Sequence, residues 1–199
     1  MIKLDPNVQT VAVGASINLG LVIDGLGNNT APSLGTFDVT ANFDSLFFSL
    51  TGVTFGPSLG NPDPASNETA IISDISVAGL IGLFEVSLLE ANAGNCIFCI
   101  PPYLEDLQTS SFTLATLTFK ALTPGAAVFG LSINSVGDAF GNPLNVDSEG
   151  ASVSILPSSI IPEPGEMSLF VLGLLSAGIL GKRKREFRVS TPRRSSDRS

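Results

Sequence analysis

Residues 115–134 read ATLTFKALTPGAAVFGLSIN, and this stretch decides the fold class. Between residues 115 and 121, Ala, Leu, Phe and Ala alternate with Thr, Thr and Lys. Successive side chains of a strand point to opposite faces, so the alternation predicts a strand with one buried and one solvated face. Pro124-Gly125 is typical of a turn, and the alternation resumes over residues 129–133. The stretch therefore predicts two successive strands joined by a turn.

The same alternation occurs in four further runs between residues 1 and 156. Gly, Pro and Asn residues typical of turns separate these runs, and no convincing amphipathic helix interrupts them. We therefore predict that residues 1–156 form an all-β domain, an antiparallel sandwich of about nine strands. The apolar members of the four runs are Ile17, Leu19, Leu21 and Ile23; Phe37, Val39, Ala41 and Phe43; Phe84, Val86 and Leu88; and Val153 and Ile155.

Charge is distributed unevenly along the 199 residues. Residues 1–166 contain two basic residues, Lys3 and Lys120, against sixteen acidic ones, for a formal charge of −14. Residues 167–199 contain eight basic and two acidic residues, for a formal charge of +6. An acidic domain repels phosphate groups, so we expect no nucleic-acid partner. The chain has no histidine, which excludes His-based catalytic triads and imidazole metal ligands.

The end of the chain has the pattern of a membrane segment. Residues 157–161 are predicted to be a linker, and residues 167–181 are fifteen residues without a charge. As a helix they span roughly 22 Å, somewhat less than the hydrocarbon core of a bilayer. Residues 188–199 are polar and predicted to be disordered.

A basic cluster follows the apolar run directly, which predicts that the membrane helix ends on the cytoplasmic side of the membrane. Gly173, Ala177 and Gly181 are four residues apart, so they share one face of the predicted helix, where another helix can approach closely. The alternative is that small residues are simply common in short membrane segments. The residues that carry these predictions are Leu169, Leu172, Gly173, Ala177, Gly178 and Gly181 in the helix and Lys182, Arg183, Lys184 and Arg185 in the basic cluster.

Residues 162–187 resemble a PEP-CTERM sorting signal. The signal combines a Pro-Glu-Pro triplet, here Pro162, Glu163 and Pro164, with an apolar helix and a basic cluster, in that order. The resemblance implies a Gram-negative bacterium that produces exopolysaccharide. It also implies an exosortase that recognises the triplet and processes the protein. The protein would be an intermediate in the inner membrane and then reach the cell surface or extracellular matrix.

The N-terminal domain carries a second resemblance, in residues 25–27, 31–38, 42–44, 53–56, 112–119, 124–125 and 137–142. These segments resemble the cohesin-like domains of PEP-CTERM proteins. The resemblance implies a nine-stranded jelly-roll sandwich of the Greek-key type, which related carbohydrate-binding modules share. True cohesins bind a dockerin protein on one sheet face, but no contact residue is carried over to this chain.

The N-terminus lacks the apolar segment of a secretory leader, because Met1-Ile2-Lys3 leads directly into Leu4-Asp5-Pro6. A sorting signal requires export. We therefore expect that the natural start lies upstream or that the sequence is a fragment.

Cys96 and Cys99 form a C-x-x-C motif in a predicted loop. The interpretation we favour is a local disulfide formed in an oxidising periplasm, with redox and zinc roles as alternatives. We predict no metal or other cofactor, because no D-x-D-x-D-G loop organises the acidic residues. The acidic residues considered as calcium ligands are Asp24, Asp38, Asp44, Asp74, Asp138, Asp147 and Glu149.

These observations predict an exported, non-enzymatic binding module of the cell surface or matrix, whose ligand is an unknown protein or glycan. The alternative is a carbohydrate-binding module associated with exopolysaccharide or its breakdown. The absence of Trp and the single Tyr argue against strong stacking on sugars. An enzyme such as a carboxylate glycosidase is the third hypothesis. It ranks last, because no positioned nucleophile or base is visible.

Overall fold

Eleven β-strands form two sheets within residues 1–95 and 99–158, the part of the chain that the computed structural model describes. A short 3-10 helix, Ala93–Asn95, and one α-helical turn, Leu104–Leu107 (α1), lie between the seventh and eighth strands. The strands are Ile2–Asp5 (β1), Val8–Ala12 (β2), Ser16–Asp24 (β3), Leu34–Asn42 (β4), Phe48–Phe55 (β5), Thr69–Asp74 (β6), Leu80–Ser87 (β7), Ser111–Ala121 (β8), Gly125–Asp138 (β9), Ser148–Glu149 (β10) and Ala151–Leu156 (β11).

The two sheets form the layers of a sandwich. Sheet A has the strand order β10-β1-β3-β8-β5, and sheet B has the order β2-β11-β9-β4-β7-β6. The inward side chains of both sheets meet in one core, which confirms the predicted all-β sandwich. The structure describes only residues 157–158 of the predicted linker. The rest of the linker, the sorting signal and the tail lie beyond the described residues and stay predictions.

The sandwich differs in two details from the predicted one of about nine antiparallel strands: the described part holds eleven strands, and both sheets are mixed. The N-terminal stretch divides at Pro6, which has no N–H to donate to a ladder. Its first part, β1, pairs in parallel with β10, and its second part, β2, pairs in parallel with β11. These pairings join residues about 145 positions apart, and no local pattern in the sequence marks them.

The strongest predicted alternations are confirmed by burial. In β3 the side chains of Ile17, Leu19, Leu21 and Ile23 are buried, and β8 and β11 bury their predicted apolar sets in the same way. In the middle of the core, Phe119 packs against three other phenylalanines with ring centroids 4.9–6.1 Å apart, namely Phe43, Phe48 and Phe129.

Strand β7 is turned over relative to its predicted orientation. Ile81, Leu83 and Glu85 are buried, whereas Phe84 and Val86 are partly exposed on the opposite face. Apolar residues occupy both faces of this strand, so the alternation alone gave no reliable direction. The inversion places a carboxyl group in the core and an aromatic ring on the surface.

The predicted membrane helix, residues 167–181, and the basic cluster Lys182–Arg185 lie outside the described residues. Within residues 1–95 and 99–158, no helix has the length and apolar character needed to cross a membrane. The sorting triplet, Pro162 to Pro164, also lies outside them. All three remain predictions.

Candidate functional site

The outer face of sheet B differs from that of sheet A in its exposed apolar side chains. Among the strands described, every large hydrophobic residue that is exposed belongs to sheet B. The outer face of sheet A instead presents Ser, Thr and Asn side chains from β3, β5 and β8. Exposed apolar side chains that cluster on one face mark interaction surfaces. The exposed hydrophobic strand residues are Val8, Ile72, Leu80, Val128 and Leu156 on the outer face and Ile71 on the inner side of β6.

A polar strip runs along the middle of this outer face, on β4 and β9. The Asn134 amide donates hydrogen bonds to Asp38 Oδ1 over 2.8 Å and to Thr40 Oγ1 over 3.1 Å. The Gly130 backbone N–H donates to Asn42 Oδ1 over 3.0 Å. These contacts hold the polar side chains in fixed positions, so the strip is organised before any partner binds.

Apolar side chains lie on both sides of this strip, on β2, β11 and β9 at one side and on β7 and β6 at the other. Phe84 pairs with Ile72 across the two strands, and Val86 pairs with Ala70, so their side chains share the outer face. Ile72 is 62% exposed. The outer face therefore presents exposed apolar side chains beside fixed polar ones, and protein interfaces combine these two kinds of group.

The charge on this face is negative. Asp38 and Asp74 lie on it, and Lys3 and Lys120, the basic residues of the described part, belong to strands of sheet A. The Ser76 backbone N–H donates to the Asp74 carboxylate over 2.9 Å and lowers the pKa of that group. A complementary partner would present apolar side chains flanked by basic ones.

A groove with a volume of about 300 Å³ opens at the end of the sandwich where β6 turns into β7. The turn residues Ile75 and Val77 are exposed and line it together with Phe43, Leu50 and Leu122. The apolar surface thus continues from the outer face of sheet B into the turn between β6 and β7.

The opposite end of the sandwich carries the long loops. Asp138 accepts hydrogen bonds from the backbone N–H groups of Phe140 and Asn142 and from the Asn142 side chain. The Asn142 side chain is the main cause of a lowered pKa at Asp138. The loop holds Phe140 57% exposed beside a cleft that Leu88 and Glu90 also line.

Gln108 fixes the base of these loops. Its buried side chain accepts a hydrogen bond from Leu34 N and donates to the carbonyl oxygens of Leu34 and Ser58. One side chain therefore joins the residue after α1, the start of β4 and the loop between β5 and β6.

Glu85 lies directly beneath the outer face, on the inner side of β7, and is fully buried. Neither of its carboxyl oxygens has a hydrogen-bond partner among the described residues, and the same holds for Thr69 Oγ1 on neighbouring β6. Burial raises the pKa of Glu85 to about 8. The carboxyl group is therefore protonated at neutral pH, which removes the cost of a buried charge.

Cys99 is disulfide-bonded in the structure, and its carbonyl oxygen accepts a hydrogen bond from the Tyr103 hydroxyl. Cys96 lies outside the described residues, so the pairing of Cys96 with Cys99 stays a prediction. Within residues 1–95 and 99–158, no group of three His, Cys, Asp or Glu side chains is arranged to hold a metal ion.

Sequence reasoning missed the exposed apolar side chains on β6. The signal available was the adjacent pair Ile71-Ile72, because neighbouring residues of a strand face opposite sides and an edge strand cannot bury both. The structure leaves Ile71 36% exposed on one side and Ile72 62% exposed on the other.

No family model and no curated protein sequence matches this chain. Solved structures of cohesin domains resemble it in fold. The sixth cohesin of scaffoldin B from Acetivibrio cellulolyticus, in complex with the Cel5 dockerin, aligns with a TM-score of 0.59 at 15% identity, over 78% of this chain and 97% of that one.

Two further cohesins give similar values. The OlpA cohesin of Clostridium thermocellum, in complex with a dockerin, aligns with a TM-score of 0.58 at 12% identity, over 78% of this chain and 99% of that one. A non-cellulosomal cohesin from Archaeoglobus fulgidus aligns with a TM-score of 0.56 at 12% identity, over 80% and 92% of the two chains. These similarities confirm the expected cohesin-like sandwich and concern the fold alone.

Proposed function

We propose that residues 1–158 form a non-enzymatic protein-binding module that contacts its partner with the outer face of sheet B. The observation that carries this proposal is the confinement of exposed hydrophobic strand residues to that sheet. The complexes of cohesins with dockerins are consistent with a protein partner for this fold. The acidic charge of the face favours a partner with basic residues around an apolar contact.

The decisive variant reverses one charge on the outer face. We expect Asp38→Lys to weaken binding to a basic partner by about tenfold or more, because it replaces an attraction with a repulsion. Binding is measured by surface plasmon resonance with the full chain immobilised, against a panel of purified dockerin domains and basic helical peptides. Asp5→Lys is the matched control, since it makes the same change on the outer face of sheet A.

The result that overturns this proposal is a ligand whose affinity falls with Asp5→Lys and not with Asp38→Lys. Failure of the whole panel to bind, together with glycan binding on an array, also overturns it. That second outcome would support the alternative function of carbohydrate binding.

One observation favours the carbohydrate alternative. Phe140 exposes its ring beside a polar cleft, in a loop that Asp138 holds in place. An aromatic ring above polar groups is an arrangement that stacks on sugar rings. Loss of glycan binding in Phe140→Ala would identify this cleft as the site.

We also propose that the protein is exported and carries a PEP-CTERM signal for exosortase processing at its C-terminus. The resemblance of residues 162–187 to that signal supports this part of the proposal. We expect the native gene product to fractionate with membranes or the cell exterior, and replacement of Pro162-Glu163-Pro164 by alanines to block its release from the membrane. A product found wholly in the cytosol would contradict export.

A further inference from the structure

Strand β6 is an open edge. Among the described strands it pairs with β7 alone, and Ala70 through Asp74 are all exposed. Ile71 is exposed on the inner side of sheet B, so sheet A does not cover this strand. Both faces and one backbone edge of β6 are therefore accessible at once.

The edge has few of the features by which proteins prevent strands from pairing with one another, and its single charged residue, Asp74, is the last of the strand. Thr69–Asp74 contains no Lys and no Pro, and its pairing with β7 runs without a bulge. Exposed, regular and partly hydrophobic edges of this kind are templates for another strand.

The pairing with β7 shows which backbone groups are available. Leu88 N–H donates to the carbonyl oxygen of Glu68, so Glu68 directs its backbone toward β7. Backbone direction alternates along a strand, so Thr69, Ile71 and Ser73 direct their N–H and C=O groups to the open edge.

We propose that this edge pairs with the same edge of a second copy of the chain, antiparallel, about a two-fold axis at Ile72. Ile71 of each copy then exchanges hydrogen bonds with Ser73 of the other. The two Ile72 side chains meet on the outer face, where an antiparallel pair without hydrogen bonds brings side chains closest. The two six-stranded sheets B become one continuous sheet with a common outer face.

Charge selects this register over the one centred on Ile71. With the axis at Ile72, Asp74 lies opposite Ala70 of the second copy, and Glu68 lies opposite Ser76. With the axis at Ile71, Asp74 would lie opposite Glu68, and like charges directly opposite each other are destabilising. An axis between Ile71 and Ile72 would join the outer face of one sheet to the inner face of the other. This arrangement is unfavourable, because only the inner face of sheet B packs against a core.

Cysteine cross-linking of the purified full chain in mild detergent tests both the contact and its register. We expect Ile72→Cys to give a disulfide-linked dimer as the major product, because directly opposite Cβ atoms lie within reach of a disulfide. Ala70→Cys alone should not cross-link, since the two copies of residue 70 would be about 14 Å apart along the strands. Ala70→Cys combined with Asp74→Cys should cross-link again. Mass spectrometry of the linked peptides distinguishes these bonds from those of Cys96 and Cys99.

Sedimentation velocity provides the second measurement. Ser73→Pro removes a backbone donor at the open edge, and Ile72→Lys places like charges at the axis, so both should shift the dimer to monomer. Val128→Lys is the matched control, because Val128 is 71% exposed on a central strand of the same face. A monomeric wild-type chain, a dimer that Ile72→Lys leaves intact, or cross-linking through Ala70→Cys alone would each overturn the proposal. The binding proposal is tested by the effect of Asp38→Lys on dockerin or peptide binding, and the dimer proposal is tested by variants of β6. Each proposal can therefore fail without the other.

Discussion

Glu85→Gln should make the domain more stable than the wild type at pH 8 and about equally stable at pH 4. In the unfolded chain this carboxyl has its ordinary pKa near 4.5, and burial in the folded domain raises the pKa to about 8. Between these two values the folded state retains a proton that the unfolded state releases, so stability falls as the pH rises. Each pH unit in this window costs about 1.4 kcal/mol, and the loss at pH 8 approaches about 5 kcal/mol. Glutamine resembles the protonated form and does not titrate, so its stability should remain high across the window.

Urea denaturation monitored by circular dichroism from pH 4 to pH 9 measures the difference. Glu90→Gln provides the control, because this substitution removes the same charge at an exposed position three residues after the end of β7. Parallel pH profiles for the wild type and Glu85→Gln would show that the carboxyl is solvated or paired in the folded protein, contrary to the structure.

Phe119→Ala should reduce the free energy of unfolding by about 3–5 kcal/mol, the range measured for deletion of a buried aromatic side chain. Phe119 is fully buried, and its ring contacts those of Phe43, Phe48 and Phe129. Its removal leaves a cavity between the two sheets, lined by the other three rings. A large loss is therefore expected because the surrounding strands cannot collapse into the space.

Chemical denaturation at pH 5 measures this loss. Phe140→Ala is the matched control, because that ring is exposed and its deletion should change stability by less than about 0.5 kcal/mol. Equal effects of the two substitutions would mean that the four-ring cluster is not the centre of the core.

Sequence reasoning succeeded where one face of a strand is apolar and the other is not. Strands β3 and β8 have Asn, Gly, Thr and Lys on the outer face, so their alternation gives both the strand and its direction. It failed at β7, where Leu80, Phe84 and Val86 lie opposite Ile81 and Leu83. The outward set there belongs to the proposed contact surface, and its apolar residues obscured the pattern of the core.

The remaining differences come from contacts between distant parts of the chain. Strands β1 and β2 are short, and their parallel partners lie near residues 148–156. Pro6 indicates a break within the first twelve residues, but nothing there indicates that the two parts belong to different sheets. The exposed edge at β6 was equally hidden, because exposure of both Ile71 and Ile72 depends on where sheet A ends.

The position of β11 has a mechanical consequence for a domain held from its C-terminal side. This strand is the last before Ser158 and is bonded along its length to β2 on one side and β9 on the other. A force applied at Ser158 along the axis of β11 would load the two rows of backbone bonds together instead of opening them one at a time.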